Sequence, residues 1–187
     1  MIKLFFVPLL FIPILSFTQA GFLKLGNNIN GEAVGDESGI SVGINSLGNR
    51  IAIGGYKNDG NGSNSGHVRI YEDNGGNWIQ MGADIDGETM SDKFGKSVDM
   101  NSAGDRVVVG AWFAASASLP IGSGQISCYE FTNGSWNQLG NYINGEATFD
   151  YFGISSAINA NGNIIAGGAY HNAVSYTHLT LPTISCV

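Results

Sequence analysis

The chain has 187 residues, 28 of them glycine, and a formal net charge of −7 from fifteen acidic and eight basic residues. The basic residues are scattered, with no stripe for phosphate contacts and no interleaving with aromatics, which excludes a nucleic-acid partner. An acidic surface poor in lysine likewise disfavours adhesion to anionic lipid.

Met1 to Ala20 reads as a secretory signal peptide. Lys3 supplies the positive start, Leu4 to Phe17 the apolar stretch, broken by Pro8 and Pro13, and Thr18-Gln19-Ala20 the small residues of a cleavage site. That stretch is too short and too proline-broken for a membrane span, so the mature chain is expected to begin near Gly21 with no transmembrane segment and to be secreted or held at the outer cell surface.

From Gly26 the chain repeats itself. Gly26, Ile29, Gly31 and Glu32 return 56 residues later as Gly82, Ile85, Gly87 and Glu88, and after a further 58 as Gly140, Ile143, Gly145 and Glu146. The same offsets carry Gly39, Ser41, Asn45 and Gly48 to Gly95, Ser97, Asn101 and Gly104, then to Gly153, Ser155, Asn159 and Gly162. Trp78 and Trp136, Tyr71 and Tyr129, and Gly54, Gly110 and Gly168 are related likewise. A near-constant period of this size means one supersecondary unit stacked on copies of itself, with repeats near 26–81, 82–139 and 140–173.

Within one repeat the pattern predicts four short strands. In the second they are Ser97–Met100, the continuous run Arg106–Trp112 after a Gly104-Asp105 turn, Gly124–Phe131, and Ser135–Gly140 after a turn at Gly134. Gly, Asn, Asp and Ser bound each of them, and nothing beyond the first residues has helical periodicity. Four antiparallel strands per period make one blade of a β-propeller, and a blade packed between neighbours must be apolar on both faces, which accounts for Val107-Val108-Val109. The fold class is therefore all-β: blades of four antiparallel strands, about two and a half of them between residues 21 and 173, part of a larger ring. Blades of this length need roughly 220 to 450 residues to close a ring of four to eight, so this segment is expected to expose a blade face and a strand edge. Phe22 to Gly26 repeats the fourth strand at Trp78 to Gly82 and is expected to complete the final blade.

Beyond Ala173 the repeat stops. Val174-Ser-Tyr-Thr-His-Leu-Thr-Leu-Pro-Thr183 resembles the translation of a transposase-type sequencing adapter, and residues 174–187 are read as a non-native tail. Cys186 and His178 fall in that tail, which leaves Cys128 as a single cysteine at an apolar strand position, expected to be a small buried hydrophobe.

The motif set Asp92-Lys-Phe-Gly-Lys-Ser-Val98, Val107-Val-Val-Gly-Ala111 and Gly66-His-Val-Arg-Ile-Tyr71 resembles the FG-GAP repeat, the blade unit of integrin-alpha-type propellers. More narrowly it is similar to repeat-rich exported proteins of flavobacteria and other Bacteroidetes, whose blades carry Trp-x-Gln-x-Gly and Gly-Glu. The resemblance covers about Phe22 to Tyr170. It implies a non-catalytic binding or adhesion module that recognises an extracellular protein or carbohydrate through loops on one propeller face. The alternatives are the non-catalytic portion of an exported glycan-active enzyme, and a structural spacer.

Integrin-type blades often hold calcium in the loop between the first two strands. The corresponding loops here, Asn45–Asn49, Asn101–Asp105 and Asn159–Asn163, offer almost no carboxylate and read as turns, so no cofactor is expected there. Calcium keeps one weak candidate, Asp59, Asn61 and Ser63, which place oxygens at alternate positions of a Gly- and Asn-rich loop.

The residues singled out as the structural repeat are Gly39, Gly95 and Gly153, Phe94 and Phe152, Trp78 and Trp136, and Asp36, Asp92 and Asp150. The recurring Glu and Asp of Gly-Glu-x-x-x-Asp return in every repeat, so they read as acceptors for loop N–H groups rather than as a catalytic pair. Tyr56, Trp112 and Tyr170 end equivalent strands and read first as packing between blades and second as a sugar-stacking rim. No nucleophile elbow, zinc spacing or phosphate loop stands out, and no enzymatic activity is expected.

Overall fold

A computed structural model describes residues 24–115 and 120–172 and, of the residues after 172, the backbone of Ile184–Ser185. The residues read as a signal peptide and most of the tail read as non-native lie outside the described residues.

The described residues are all-β and contain no helix, so none crosses a membrane as one. The first sheet is an antiparallel meander of β1 (Ser41–Ile44), β2 (Arg50–Gly55), β3 (His67–Asp73) and β4 (Trp78–Gln80), with β5 (Ile85–Asp86) resuming the outer strand along β3. The second repeats it with β6 (Phe94–Met100), β7 (Arg106–Ala111), β8 (Gln125–Thr132), β9 (Ser135–Gln138) and β10 (Ile143–Asn144). The third holds β11 (Ser155–Ile158), β12 (Ile164–Gly168) and β13 (Ile184–Ser185). Here the structure adds a strand inside the tail: β13 lies antiparallel to β12, whose unpaired N–H and C=O groups form an edge that an extended segment can occupy.

The sheets pack in series, β1 and β2 against β6, and β6 and β7 against β11. This order explains the triple valine. Val107 and Val109 point into the core between the first and second sheets with Ala52, Val68, Ile70 and Phe94, while Val108 points into the core shared with the third beside Ile126, Phe152 and Ile165. All three valines are fully buried, each contributing about 1.5–3 kcal/mol.

Where a neighbour is missing the same positions lie bare. Val98 and Met100 of β6 are 7% and 5% exposed under the first sheet, whereas their counterparts Val42 and Ile44 in β1 are 69% and 62% exposed. The first sheet thus presents an apolar face shaped like the one the second buries. Its outer edge is met in the same way as the second sheet's: Trp136 Nε1 donates to the Met81 carbonyl of the preceding sheet at 2.7 Å, and Trp78 Nε1 donates to the Leu25 carbonyl at 3.2 Å. Leu25 therefore occupies the place of a preceding blade's outer strand.

Part of the glycine period comes from close approach of backbones between sheets, and part from turns at positive φ, as at Gly48, Gly104 and Gly162. A Cβ on Gly54 would lie 2.1 Å from the Gly95 carbonyl oxygen, and one on Gly110 would lie 2.0 Å from that of Gly153. Gly66 and Gly124 bridge to Phe94 and Phe152 with equally little room.

Candidate functional site

An up-and-down meander sends alternate connections to opposite ends. One end carries the tight Asn-Gly turns. In each, an Asn side-chain oxygen accepts backbone N–H groups across the turn: Asn45 from residues 49 and 50, Asn101 from 104, 105 and 106, and Asn159 from 163 and 164. The opposite end carries the long connections 56–66 and 112–124 together with the crossings from sheet to sheet, and the candidate site is built there.

The repeated acids anchor these crossings. The carboxylates of buried Asp36, Asp92 and Asp150 accept the backbone N–H of Ala33, Thr89 and Ala147, and their own carbonyls accept Lys57, Phe113 and His171. Burial raises the Asp92 carboxyl above the ordinary range, against the lowering effect of its bonds to Thr89. Phe94 and Phe152 fill the cores, and Gly95 and Gly153, at φ of 81° and 85°, pass within contact of the His67 and Gln125 carbonyls. Gly39, at φ 93°, has open space where a Cβ would stand and donates its N–H to Gly54.

Beside each aspartate one side chain is held in the left-handed region, Glu37 at φ 53°, Lys93 at 60° and Tyr151 at 56°. Such a backbone costs about 1–2 kcal/mol for a residue other than glycine and persists because the crossing loops hold it: Lys93 N–H donates to Asn64 and Tyr151 N–H to Gly122. These residues interleave with Tyr56, Trp112 and Tyr170, which follow β2, β7 and β12, and the two sets form a rim. Lys93 Nζ lies 5.6 Å from the Tyr56 ring centroid, Tyr151 stands 4.9 Å from Trp112 and 5.7 Å from Tyr170, and Phe149 lies 5.9 Å from Tyr151.

The rim has two characters. Around Tyr56 it is charged: Lys57 and Lys96 join Lys93 at 5.5 and 4.8 Å from the ring, and Glu37 pairs with Lys57. The Lys57 hydrogen bond holds the Glu37 carboxyl below its ordinary value, while burial and the Glu37 carboxylate push the Tyr56 hydroxyl up. Around Trp112 it is aromatic, with Tyr170 62% and Phe149 46% exposed. Trp112 Nε1 is buried beneath these rings without a hydrogen-bond partner.

The calcium candidates lie in the connection between β2 and β3. Asp59 accepts Asn64 N–H, the Asn61 amide donates to the Gly87 carbonyl, and the Ser63 hydroxyl accepts from Asn64 Nδ2. A grouping that sequence reasoning passed over does converge: Glu32, His67 and Asp84 bring one donor atom each to within 4.8 Å of one another. The available signal was a departure from the repeat, His67 where the next blade has Gln125 and Asp84 where it has Tyr142.

No family model matches the chain, and no curated protein matches it. Among solved structures it is similar to a candidate 6-phosphogluconolactonase from Bacteroides uniformis (13% identity, TM-score 0.44, 67% of this chain and 31% of that one). A chain of a mitotic checkpoint complex (12%, TM-score 0.43, 69% and 32%) and the periplasmic gluconolactonase PpgL of Pseudomonas aeruginosa (10%, TM-score 0.42, 68% and 35%) are similar to the same degree. The aligned part spans about a third of each of those chains.

Proposed function

We propose that the chain is part of an exported recognition module built from FG-GAP-like propeller blades, and that it binds carbohydrate along the rim. The rim is the observation that carries this reading. Exposed aromatic rings, Tyr170 and Phe149 foremost, offer flat apolar faces to the C–H faces of sugars. The lysines around Tyr56 admit carboxylate or sulfate substituents on the same ligand. Support for the FG-GAP assignment comes from the motif's own residues, since Phe94, Gly95 and Gly110 all sit where two sheets touch. The apolar face at Val42 and Ile44 is where a further blade of a ring would pack. No reacting group is assigned to the rim.

Affinity electrophoresis of the secreted chain through gels containing neutral and uronate-bearing polysaccharides tests the proposal. At least one polysaccharide is expected to retard the wild type, and Trp112→Leu with Tyr170→Ala to abolish the retardation. Free migration through the whole panel, or retardation unchanged in the double variant, overturns it.

A further inference from the structure

The corner formed by Glu32, His67 and Asp84 differs from its copy in the next blade in a concerted way. In the second blade Glu88 faces Tyr142, whose hydroxyl donates to Glu88 Oε1 at 2.6 Å and is pushed above its ordinary range by burial and by that bond. Gln125 and Ala111 complete that corner as partners across β7 and β8. In the first blade the tyrosine is replaced by Asp84, the glutamine by His67 and the alanine by Gly55. The last change makes room for the ring, because a Cβ on Gly55 would lie 2.8 Å from His67 Nε2. Three positions have therefore moved together, and a hydrogen bond between Glu and Tyr has been exchanged for two carboxylates around an imidazole.

That exchange leaves an electrostatic deficit. His67 is 1% exposed, and neither ring nitrogen has a hydrogen-bond partner. Its Nδ1 points between the acids, 3.3 Å from Asp84 Oδ2 and 3.7 Å from Glu32 Oε2. Asp86, paired with His67 across the strands, adds a third carboxyl group nearby. Among the described residues Arg69 is the one Lys or Arg in contact, at 3.7 Å from Glu32 Oε1, and its main bond goes elsewhere, to the Asn30 carbonyl. Two carboxylates beside a buried, unpartnered imidazole make a place where a cation is favoured.

The geometry points to a divalent transition-metal site of the zinc class held by His67 Nδ1, Asp84 Oδ2 and Glu32 Oε2. Two ligands on a tetrahedral ion with bonds of about 2.0–2.1 Å lie about 3.3–3.4 Å apart, close to the two spacings from Nδ1. One imidazole with two carboxylates suits zinc rather than calcium, which takes six to eight oxygens. Supporting bonds aim the acids: Gln80 Nε2 donates to Asp84 Oδ1, and Asn58 Nδ2 donates to Glu32 Oε2 at 3.1 Å. Glu32 is 47% exposed, which gives the ion a way in, and the fourth position falls to water or to a ligand oxygen. This site is independent of the rim reading.

The test is isothermal titration of the untagged, chelator-stripped chain with Zn²⁺ alone, alongside visible spectroscopy with Co²⁺. The wild type is expected to take up one equivalent, to melt at higher temperature when loaded, and to give the intense bands of four-coordinate Co²⁺. His67→Gln with Asp84→Tyr installs the residues that the second blade tolerates and is expected to lower affinity at least 100-fold with folding retained. His171→Ala should change nothing. No uptake by the wild type, which would make the cluster an imidazolium ion pair, or equal uptake by the double variant, overturns the assignment.

Discussion

Replacing Gly110 by alanine isolates the contact on which the stacking of sheets depends. Gly110 does not lie in the left-handed region, so alanine meets no intrinsic backbone penalty there. Its Cβ would lie 2.0 Å from the Gly153 carbonyl oxygen and 2.3 Å from Ser97 Oγ, against 3.4 Å for an ordinary contact. The neighbouring backbone must retreat by about 1.4 Å, stretching the Ser97 hydroxyl bond to Gly153, now 2.9 Å. Overpacking against backbone falls at the upper end of the usual range, about 3 kcal/mol, or about 6–12 °C in Tm for a chain of this size. Scanning calorimetry should show that fall for Gly110→Ala. Gly134→Asn, at φ 82° with nothing within 4 Å, should lose less than about 1 kcal/mol. An unchanged Tm for Gly110→Ala would mean that the third sheet does not pack on the second as described.

Two further outcomes follow from the same packing. Val98→Ala, under the first sheet, should cost about 2 kcal/mol in denaturant unfolding, whereas the equivalent Val42→Ala on the bare face should cost less than about 0.5 kcal/mol; equal costs would refute the serial order. Asp92 has a native pKa raised above its ordinary 3.8, so the folded state binds its proton more tightly than the unfolded state does. Stability should therefore fall as pH rises from 3.8 through the raised value and stay level above it, and Asp92→Asn should remove that slope from the plot of Tm against pH.

The fold was legible because its cause is written in glycine. Positions such as Gly54, Gly66 and Gly110 leave no room for a Cβ unless the neighbouring backbone shifts, so the spacing of sheets appears directly as spacing in the chain. Val107–Val109 was legible for a related reason, since a strand with cores on both sides cannot alternate. The site was less legible. Tyr56, Trp112 and Tyr170 show their equivalence in sequence, but Lys93 and Tyr151 join them only through a left-handed backbone in the crossing from one sheet to the next. Glu32, His67 and Asp84 come from a loop, the start of β3 and the bend between β4 and β5, and no local spacing connects them. What distinguishes them is failure to repeat, and a reading that searches for repetition passes over it. The pairing of Ile184–Ser185 with β12 was also out of reach, because it depends on an open edge rather than on the strand's own pattern.

The most direct measurement of the rim as a binding surface is tryptophan fluorescence during titration with oligosaccharides cut from the polysaccharide that retards the chain. Of the three tryptophans, Trp112 lies in the rim, whereas Trp78 and Trp136 start the outer strands and bond to Leu25 and Met81. The account predicts a saturable change in emission that disappears in Trp112→Phe while weaker binding survives by calorimetry. A change that persists undiminished in Trp112→Phe, or binding that leaves the wild-type emission untouched, would place the ligand elsewhere and contradict it.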